Sequence, residues 1–236
     1  MSDSHAAHQH TVPDHAVEGN AAHDHAAHHH DGPHQRAPHG EGAWDERYRS
    51  EPEIWSGDPN AALVAEVAGL PPGTALEAGA GEGGDAFWLA SRGWKVTAAD
   101  ISGVAIERAA KRASERGLTI DWLRADLSTV PAPGTYDLVT AHFLHVPKPE
   151  QSPLFRHLAA AVAPGGTLLI VGHDVSDMAK MGHCGLDEYG WTADEVTAVL
   201  DDDWTVETVA ARPRQAPGPD GDVIRIHDTI VRARRT

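Results

Sequence analysis

The chain is poor in cysteine, poor in basic residues and without a long apolar run. One cysteine, Cys184, stands in 236 residues. No internal disulfide can form, and the composition suits a reducing compartment. Only 19 Lys and Arg face 35 Asp and Glu, a formal charge of −16. So acidic a surface repels phosphate backbones and anionic lipid, which argues against nucleic acid and membranes as partners. The most apolar stretch, residues 158–171, is broken by Pro164-Gly165-Gly166 and is too short to span a bilayer. Residues 1–40 lack the basic start and apolar run of a secretory signal. The expectation is a soluble, cytoplasmic protein, with 41% hydrophobic residues for its core.

Histidine is plentiful and unevenly spread. Eleven of the 17 lie between His5 and His39, among Ala, Asp, Gly and Pro and without apolar periodicity. Residues 1–42 are therefore expected to be a disordered tail, and residues 43–236 one folded domain. Neutral imidazoles bind divalent Ni, Cu, Zn and Co, so the tail could take such a metal ion or change its charge near neutral pH.

In the folded part, strands and helices alternate. A short helix is expected at residues 44–49. Asp58-Pro59 reads as a cap and first turn of the next helix, which Pro71-Pro72-Gly73 ends. Strands are expected at 74–78, 95–99, 119–123, 136–141 and 167–172. Helices are expected at 85–92, 102–116 and 153–162, and another opens at Thr192 with Glu195 at capping-box spacing. Two late strands, 204–210 and 223–231, flank a Pro- and Gly-rich loop at 213–221. This predicts an α/β fold, a mostly parallel seven-stranded sheet with helices on both faces and a C-terminal antiparallel hairpin.

The strongest local signal is Leu76-Glu77-Ala78-Gly79-Ala80-Gly81-Glu82-Gly83-Gly84. A strand enters glycines, which let backbone approach a ligand, and a helix start follows. The spacing of Gly79, Gly81 and Gly84 fits nicotinamide enzymes as well, and Asp100 at the end of the second strand suits a ribose in either case.

The segment from Glu77 to Gly83 resembles motif I of class I S-adenosylmethionine (SAM)-dependent methyltransferases, written E/D-x-G-x-G-x-G. Asp100, Ala125-Asp126-Leu127, Tyr136-Asp137-Leu138-Val139 and Pro164-Gly165-Gly166-Thr167-Leu168 resemble later segments of that family in the right order, over roughly residues 60 to 232. The late hairpin is similar to the family's sheet ending and is foreign to nicotinamide-binding domains. Trp-Ser-Gly-Asp-Pro-Asn at 55–60 and residues 83–90 resemble the tellurite-resistance and thiopurine methyltransferase-like branch.

The resemblance implies a Rossmann-like fold with SAM as cofactor. It implies methyl transfer to a small molecule, such as a thiol or a chalcogen or metalloid species. Gly79, Ala80 and Gly81 would pass the amino acid part of SAM, with Glu77 beneath them. Asp100 would hold the ribose, Ile101 and Leu127 would pack on the adenine, and Asp126 would accept from its amino group. Trp55, with Trp44 and Tyr48, would fold over the cofactor or pack as core. The Asn-Pro-Pro-Tyr signature of nucleic-acid amino-methylating enzymes is absent.

His142 and His145 follow the fourth strand and His173 ends the fifth, so all three are expected near one crevice. They can shape the pocket, with His142 also placed against the cofactor, or one, His145 foremost, can act as base. A third reading is a metal site with His183 and Cys184. No spacing matches a metal motif, and no metal ligand is assigned. Met178 and Met181 line a substrate-side loop or pack within it, and His157 is expected on a helix surface. Three further readings stay open, a nicotinamide-dependent oxidoreductase, a metal-binding protein on a methyltransferase-like scaffold and a protein methyltransferase.

Overall fold

The computed structural model describes residues 38–181, 186–219 and 221–236. The expected tail up to residue 37, with ten of its eleven histidines, and the His183–Cys184 pair lie outside the described residues.

The elements follow in order. Helix α1 (Gly40–Ser50) and helix α2 (Ala61–Val67) precede strand β1 (Thr74–Ala78), α3 (Gly84–Ser91), β2 (Lys95–Asp100), α4 (Gly103–Glu115) and β3 (Asp121–Arg124). Then come β4 (Tyr136–His142), α5 (Lys148–Ala160) and β5 (Val162–His173). A 3-10 turn (Met178–Met181), α6 (Leu186–Tyr189), α7 (Ala193–Thr197), β6 (Trp204–Pro217) and β7 (Val223–Arg235) complete the chain. The sheet runs β3-β2-β1-β4-β5-β7-β6. Its first five strands are parallel, and β7 pairs antiparallel with both β5 and β6. Among the described residues, no helix is long and apolar enough to cross a membrane.

The sheet is buried on both faces, which is why its central strands are near-continuous apolar runs. Helices α5 and α7 cover one face, where Leu154, Leu158 and Val196 meet Leu76, Val139 and Leu168. Helices α2 and α3 cover the other, where Leu63, Val67 and Leu89 meet Val96, Leu138 and Leu169. Fully burying one such leucine contributes on the order of 1.5–3 kcal/mol, so these two layers dominate the stability of the fold. Helix α4 packs behind α3 through Ala109 and Ala113 on Phe87.

Several boundaries differ from the sequence reading. Helix α1 begins at Gly40, inside the segment expected to be tail. It is held by tertiary contacts, since the buried Asp45 accepts from Ser102 Oγ at 2.6 Å and from the Val104 amide at 3.3 Å. Asp58 does not cap α2. Asn60 does, with its side chain accepting from the Ala62 amide at 2.8 Å. Helix α5 starts at Lys148 and ends at Ala160, earlier than the expected 153–162. Pro149 suits its first turn, and Pro153 inside it forfeits one intrahelical bond. The helix is not stopped by Pro164. Strand β5 has already begun, and residues 163–166 bulge between the pairs Tyr136–Val162 and Leu138–Thr167. The expected loop after β6 is shorter too, because β6 and β7 stay paired out to Pro217 and Val223.

Candidate active site

A cleft opens at the carboxyl ends of β1, β2 and β4, roofed by α1 and the segment after it. Its floor is the glycine turn. Gly79 and Gly81 adopt φ of +73° and +51°, conformations that glycine reaches without strain. A Cβ on Gly81 would lie 3.0 Å from the Tyr48 hydroxyl and 3.3 Å from Trp55 Nε1. The roof therefore closes on a backbone stripped of side chains. The turn amides are committed internally. Gly79 and Ala80 donate to the Ala99 carbonyl at 2.8 and 3.0 Å, and Gly83 donates to the Ala80 carbonyl at 2.9 Å. Gly81 donates to Asp100 Oδ2 at 2.8 Å.

Asp100 ends β2 and is 8% exposed. Its other oxygen accepts from the Ser102 amide at 2.8 Å. Burial pushes its carboxyl up, and the amides of Ser102, Gly81 and Ile101 pull it back. The carboxylate keeps acceptor capacity for a ligand beyond these amides. Ile101, Asp126 and Leu127 line the same cleft. Asp126 Oδ1 is fixed by the Ser128 amide and hydroxyl at 3.0 and 2.6 Å.

The roof is stapled by Glu82, which is 1% exposed. Its Oε2 accepts from the amides of Ile54 and Trp55 at 3.0 and 3.2 Å, and its Oε1 faces Arg108 at 3.3 Å. Trp55 Nε1 donates to the Tyr48 hydroxyl at 3.0 Å. Burial and the nearby Asp100 push the Tyr48 phenol up, so it stays protonated. Tyr48 packs with Ile54 and Ala105, and Trp44 and Trp55 flank it. These aromatics are thus both core and cleft wall. At the far rim His39 Nε2 meets Glu150 Oε1 at 3.0 Å.

Beneath the turn lies a buried polar group. Glu77 on β1 pairs in register with Thr140 on β4, and His142 follows two residues later on the same face. Thr140 donates to Glu77 Oε2. His142 Nδ1 lies 3.3 Å from Glu77 Oε1 and 2.9 Å from Asp85 Oδ2. Asp85, in the first turn of α3, also accepts from the Asn60 amide at 2.5 Å. Burial opposes a charge on His142, but Asp85 and Glu77 outweigh it and raise its pKa to about 10. Burial pushes Glu77 up, with His142 pulling it back. This trio is the one group among the described residues that brings three ligand-type atoms within 4.8 Å. With both ring nitrogens protonated, His142 places a positive charge between the two acids.

The three histidines expected near one crevice separate into two sets. His145 lines the cleft and stacks on His173 with ring centroids 5.5 Å apart. His173 is 5% exposed, ends β5 and is not a lining residue. Arg214 Nη2 donates to its Nδ1 at 3.3 Å. Since a guanidinium only donates, His173 is held as the Nε2–H tautomer. His142 has its own partners, Glu77 and Asp85. Between the two sets, Phe143 has φ of +51°, the one positive φ outside glycine among the described residues. Such a conformation costs on the order of 1–3 kcal/mol. It turns the chain so that His142 and Leu144 both reach the cleft.

Of the other expected residues, Trp55, Gly79, Ala80 and Gly81 line the cleft, while Glu77 is buried below it. Met178 and Met181 pack on Ala216 and Ile226 of the hairpin and do not line the cleft. His157 is half-buried and bonds the Leu127 carbonyl at 2.8 Å, which anchors the adjoining wall. The sequence reading passed over Asp45, Glu82, Asp85 and Glu150, because the partners they meet on other elements lie at least 22 residues away and no local pattern announces them.

Residues 75–166 match the methyltransferase domain family. The chain is 30% identical over 136 residues to the cypemycin N-terminal methyltransferase of a Streptomyces species, covering 55% of this chain and 54% of that protein. It therefore spans about half the length of this curated relative. A protein solved in work on the conversion of a disulfide bond into a thioacetal group during echinomycin biosynthesis superposes with a TM-score of 0.67 at 26% identity, covering 84% of this chain and 92% of that one. TehB from Haemophilus influenzae superposes with a TM-score of 0.64 at 18% identity, covering 83% and 67%.

Proposed function

The chain carries a class I SAM-dependent methyltransferase domain, and on that premise we propose that it transfers a methyl group from SAM to a small-molecule acceptor. The observation that carries this is the join between Asp100 and the glycine turn. One buried carboxylate holds the Gly81 amide and ends β2, and it keeps lone pairs for the two hydroxyls of a ribose. Ile101 and Leu127 are the apolar walls for the adenine, and Asp126 the acceptor for its amino group. Trp44, Tyr48 and Trp55 exclude water from above. SAM supplies a methyl group already activated by a sulfonium, so the protein has to bind, orient and dry the reactants.

The acceptor class we propose is a thiol or a related chalcogen nucleophile, with an amine as the second reading. Among the described residues the lining contains Asp58, Glu82, Asp85, Asp100, Asp126 and Glu150 and no Lys or Arg. A field of that sign repels an oxyanion and a free thiolate, so a thiol would enter neutral and lose its proton during transfer, while an amine meets no such repulsion. The amine reading draws on the cypemycin relative, which is an N-terminal methyltransferase. His145, at the cleft and backed by His173, is the proposed proton acceptor for either. The histidine-rich stretch before residue 38 is proposed as a separate segment that takes a divalent metal ion and is dispensable for cofactor binding.

Calorimetric titration with S-adenosylhomocysteine, the demethylated product, tests the cofactor. Micromolar binding that Asp100→Ala weakens more than about tenfold supports the reading, and absence of binding removes it. Labelled methyl transfer from SAM to a panel of thiols, selenols and amines then separates the acceptor classes.

A further inference from the structure

SAM and its product end in an amino acid, and the carboxylate of that amino acid needs a partner when it enters a closed site. Four amides of the glycine turn do not offer one. The amides of Gly79, Ala80, Gly81 and Gly83 are all donated within the turn or to β2 and Asp100. Neither Lys nor Arg lines the cleft among the described residues. Arg108, below the roof, is held by Glu82 at 3.3 Å and by the Glu51 carbonyl at 2.9 Å. Trp55 Nε1 is taken by Tyr48. His39 sits on Glu150 at the exposed rim.

His142 Nε2 is fully buried and has no hydrogen-bond partner among the described residues. The residue is 8% exposed and lines the cleft. Its other nitrogen lies between two acids from different elements, Glu77 of β1 and Asp85 of α3, so the proton of Nδ1 is fixed there. Thr140 and the Asn60 amide hold those acids in turn. A ring clamped in this way is held rigidly, with Nε2 left as its unpartnered nitrogen.

We propose that His142, clamped by Glu77 and Asp85, donates from Nε2 to the α-carboxylate of the bound cofactor. This rests on the SAM-binding reading and adds the residue that distinguishes a cofactor with a carboxylate from one without. It also gives Asp85, which no motif marks, a positioning role through the ring. The imidazole acts as a donor and leaves proton acceptance to His145.

The test compares two ligands on the full-length protein. S-adenosylhomocysteine is titrated beside S-adenosyl-3-thiopropylamine, the same molecule without the carboxyl group. A charge-assisted bond lost inside a closed site predicts binding of the decarboxylated ligand weaker by about 10- to 100-fold. His142→Gln should reduce that preference to less than about threefold, by weakening the homocysteine ligand and leaving the amine ligand unchanged. Asp85→Asn should fall between the two. Because removing the ring leaves buried acids without a cation, the wild-type protein is also read by 15N spectroscopy. His142 should show both nitrogens protonated at pH 8, and Nε2 should move on adding S-adenosylhomocysteine but not the amine. Equal binding of both ligands by the wild type, or a preference that survives in His142→Gln, overturns the proposal while the methyl-transfer reading stands. A preference removed by Tyr48→Phe instead assigns the carboxylate to that hydroxyl and overturns it too. If neither ligand binds, the methyl-transfer reading fails and this proposal fails with it.

Discussion

Replacing Asp100 with Asn keeps the shape of the side chain and removes its charge. In the structure the two carboxylate oxygens each accept one amide, from Gly81 and from Ser102, both at 2.8 Å. The amide of Asn supplies one acceptor oxygen, so one of those donors meets an NH2 group. A hydrogen bond to a charged group contributes about 1.5–3 kcal/mol. Against that loss stands relief from burying a charge, the same effect that pushes the Asp100 carboxyl up. The two oppose each other, so the net change in folding stability should be within about 2 kcal/mol. Ligand binding has no such offset. The charge that would hold a ribose is gone, and affinity for S-adenosylhomocysteine should fall about 10- to 100-fold. Urea unfolding and calorimetry on the same sample separate the two effects. If the affinity of fully folded Asp100→Asn equals that of the wild type, the ribose role is wrong. If affinity drops only in step with the folded fraction, Asp100 merely holds the turn.

Four further outcomes are expected. The ordinary pKa of His142 is 6.5 and its folded value about 10, so its protonation stabilises the fold fully below pH 6.5 and less as pH rises through 10. Stability measured by urea from pH 7 to 10 should fall in the wild type and fall less steeply in His142→Gln, and parallel slopes would contradict the clamp. Gly81→Ala must hold φ near +51° and crowd Tyr48 and Trp55, so melting should drop by the equivalent of about 1–2 kcal/mol and ligand affinity should drop with it. Asp45→Ala removes the tie between α1 and the start of α4. Hydrogen exchange in residues 40–50 should quicken, with about 1–2 kcal/mol lost overall. Gly172→Ala puts a Cβ 2.6 Å from the Trp191 ring, so overpacking should cost about 1–3 kcal/mol by urea titration.

Much of the architecture is readable in the chain because its cause is local. Strand β1 is expected and observed at the same residues, since an apolar run bounded by Pro71-Pro72-Gly73 and Gly79 leaves no other option. The capping box of Thr192 and Glu195 forms as read, because its partners are three residues apart. Boundaries set by distant contacts are less legible. Helix α1 extends to Gly40 although the local sequence is polar and Gly-rich, since Asp45 and Tyr48 find partners on α4 and the roof.

The sequence by itself determined the order of strands and helices, the glycine turn and the acid at the end of β2. Each is a matter of short-range sterics and burial periodicity, which neighbouring residues carry. Only the tertiary structure decided what those residues face. Glu77 and His142 are 65 residues apart, and they meet because β1 and β4 are adjacent and in register. Asp85 completes the group because α3 starts above that face of the sheet. His145 stacks on His173, and His142 does not join them, because Phe143 reverses the chain between them. Side-chain partnership depends on strand register and helix position, and these are fixed by packing the whole sheet rather than by any single segment.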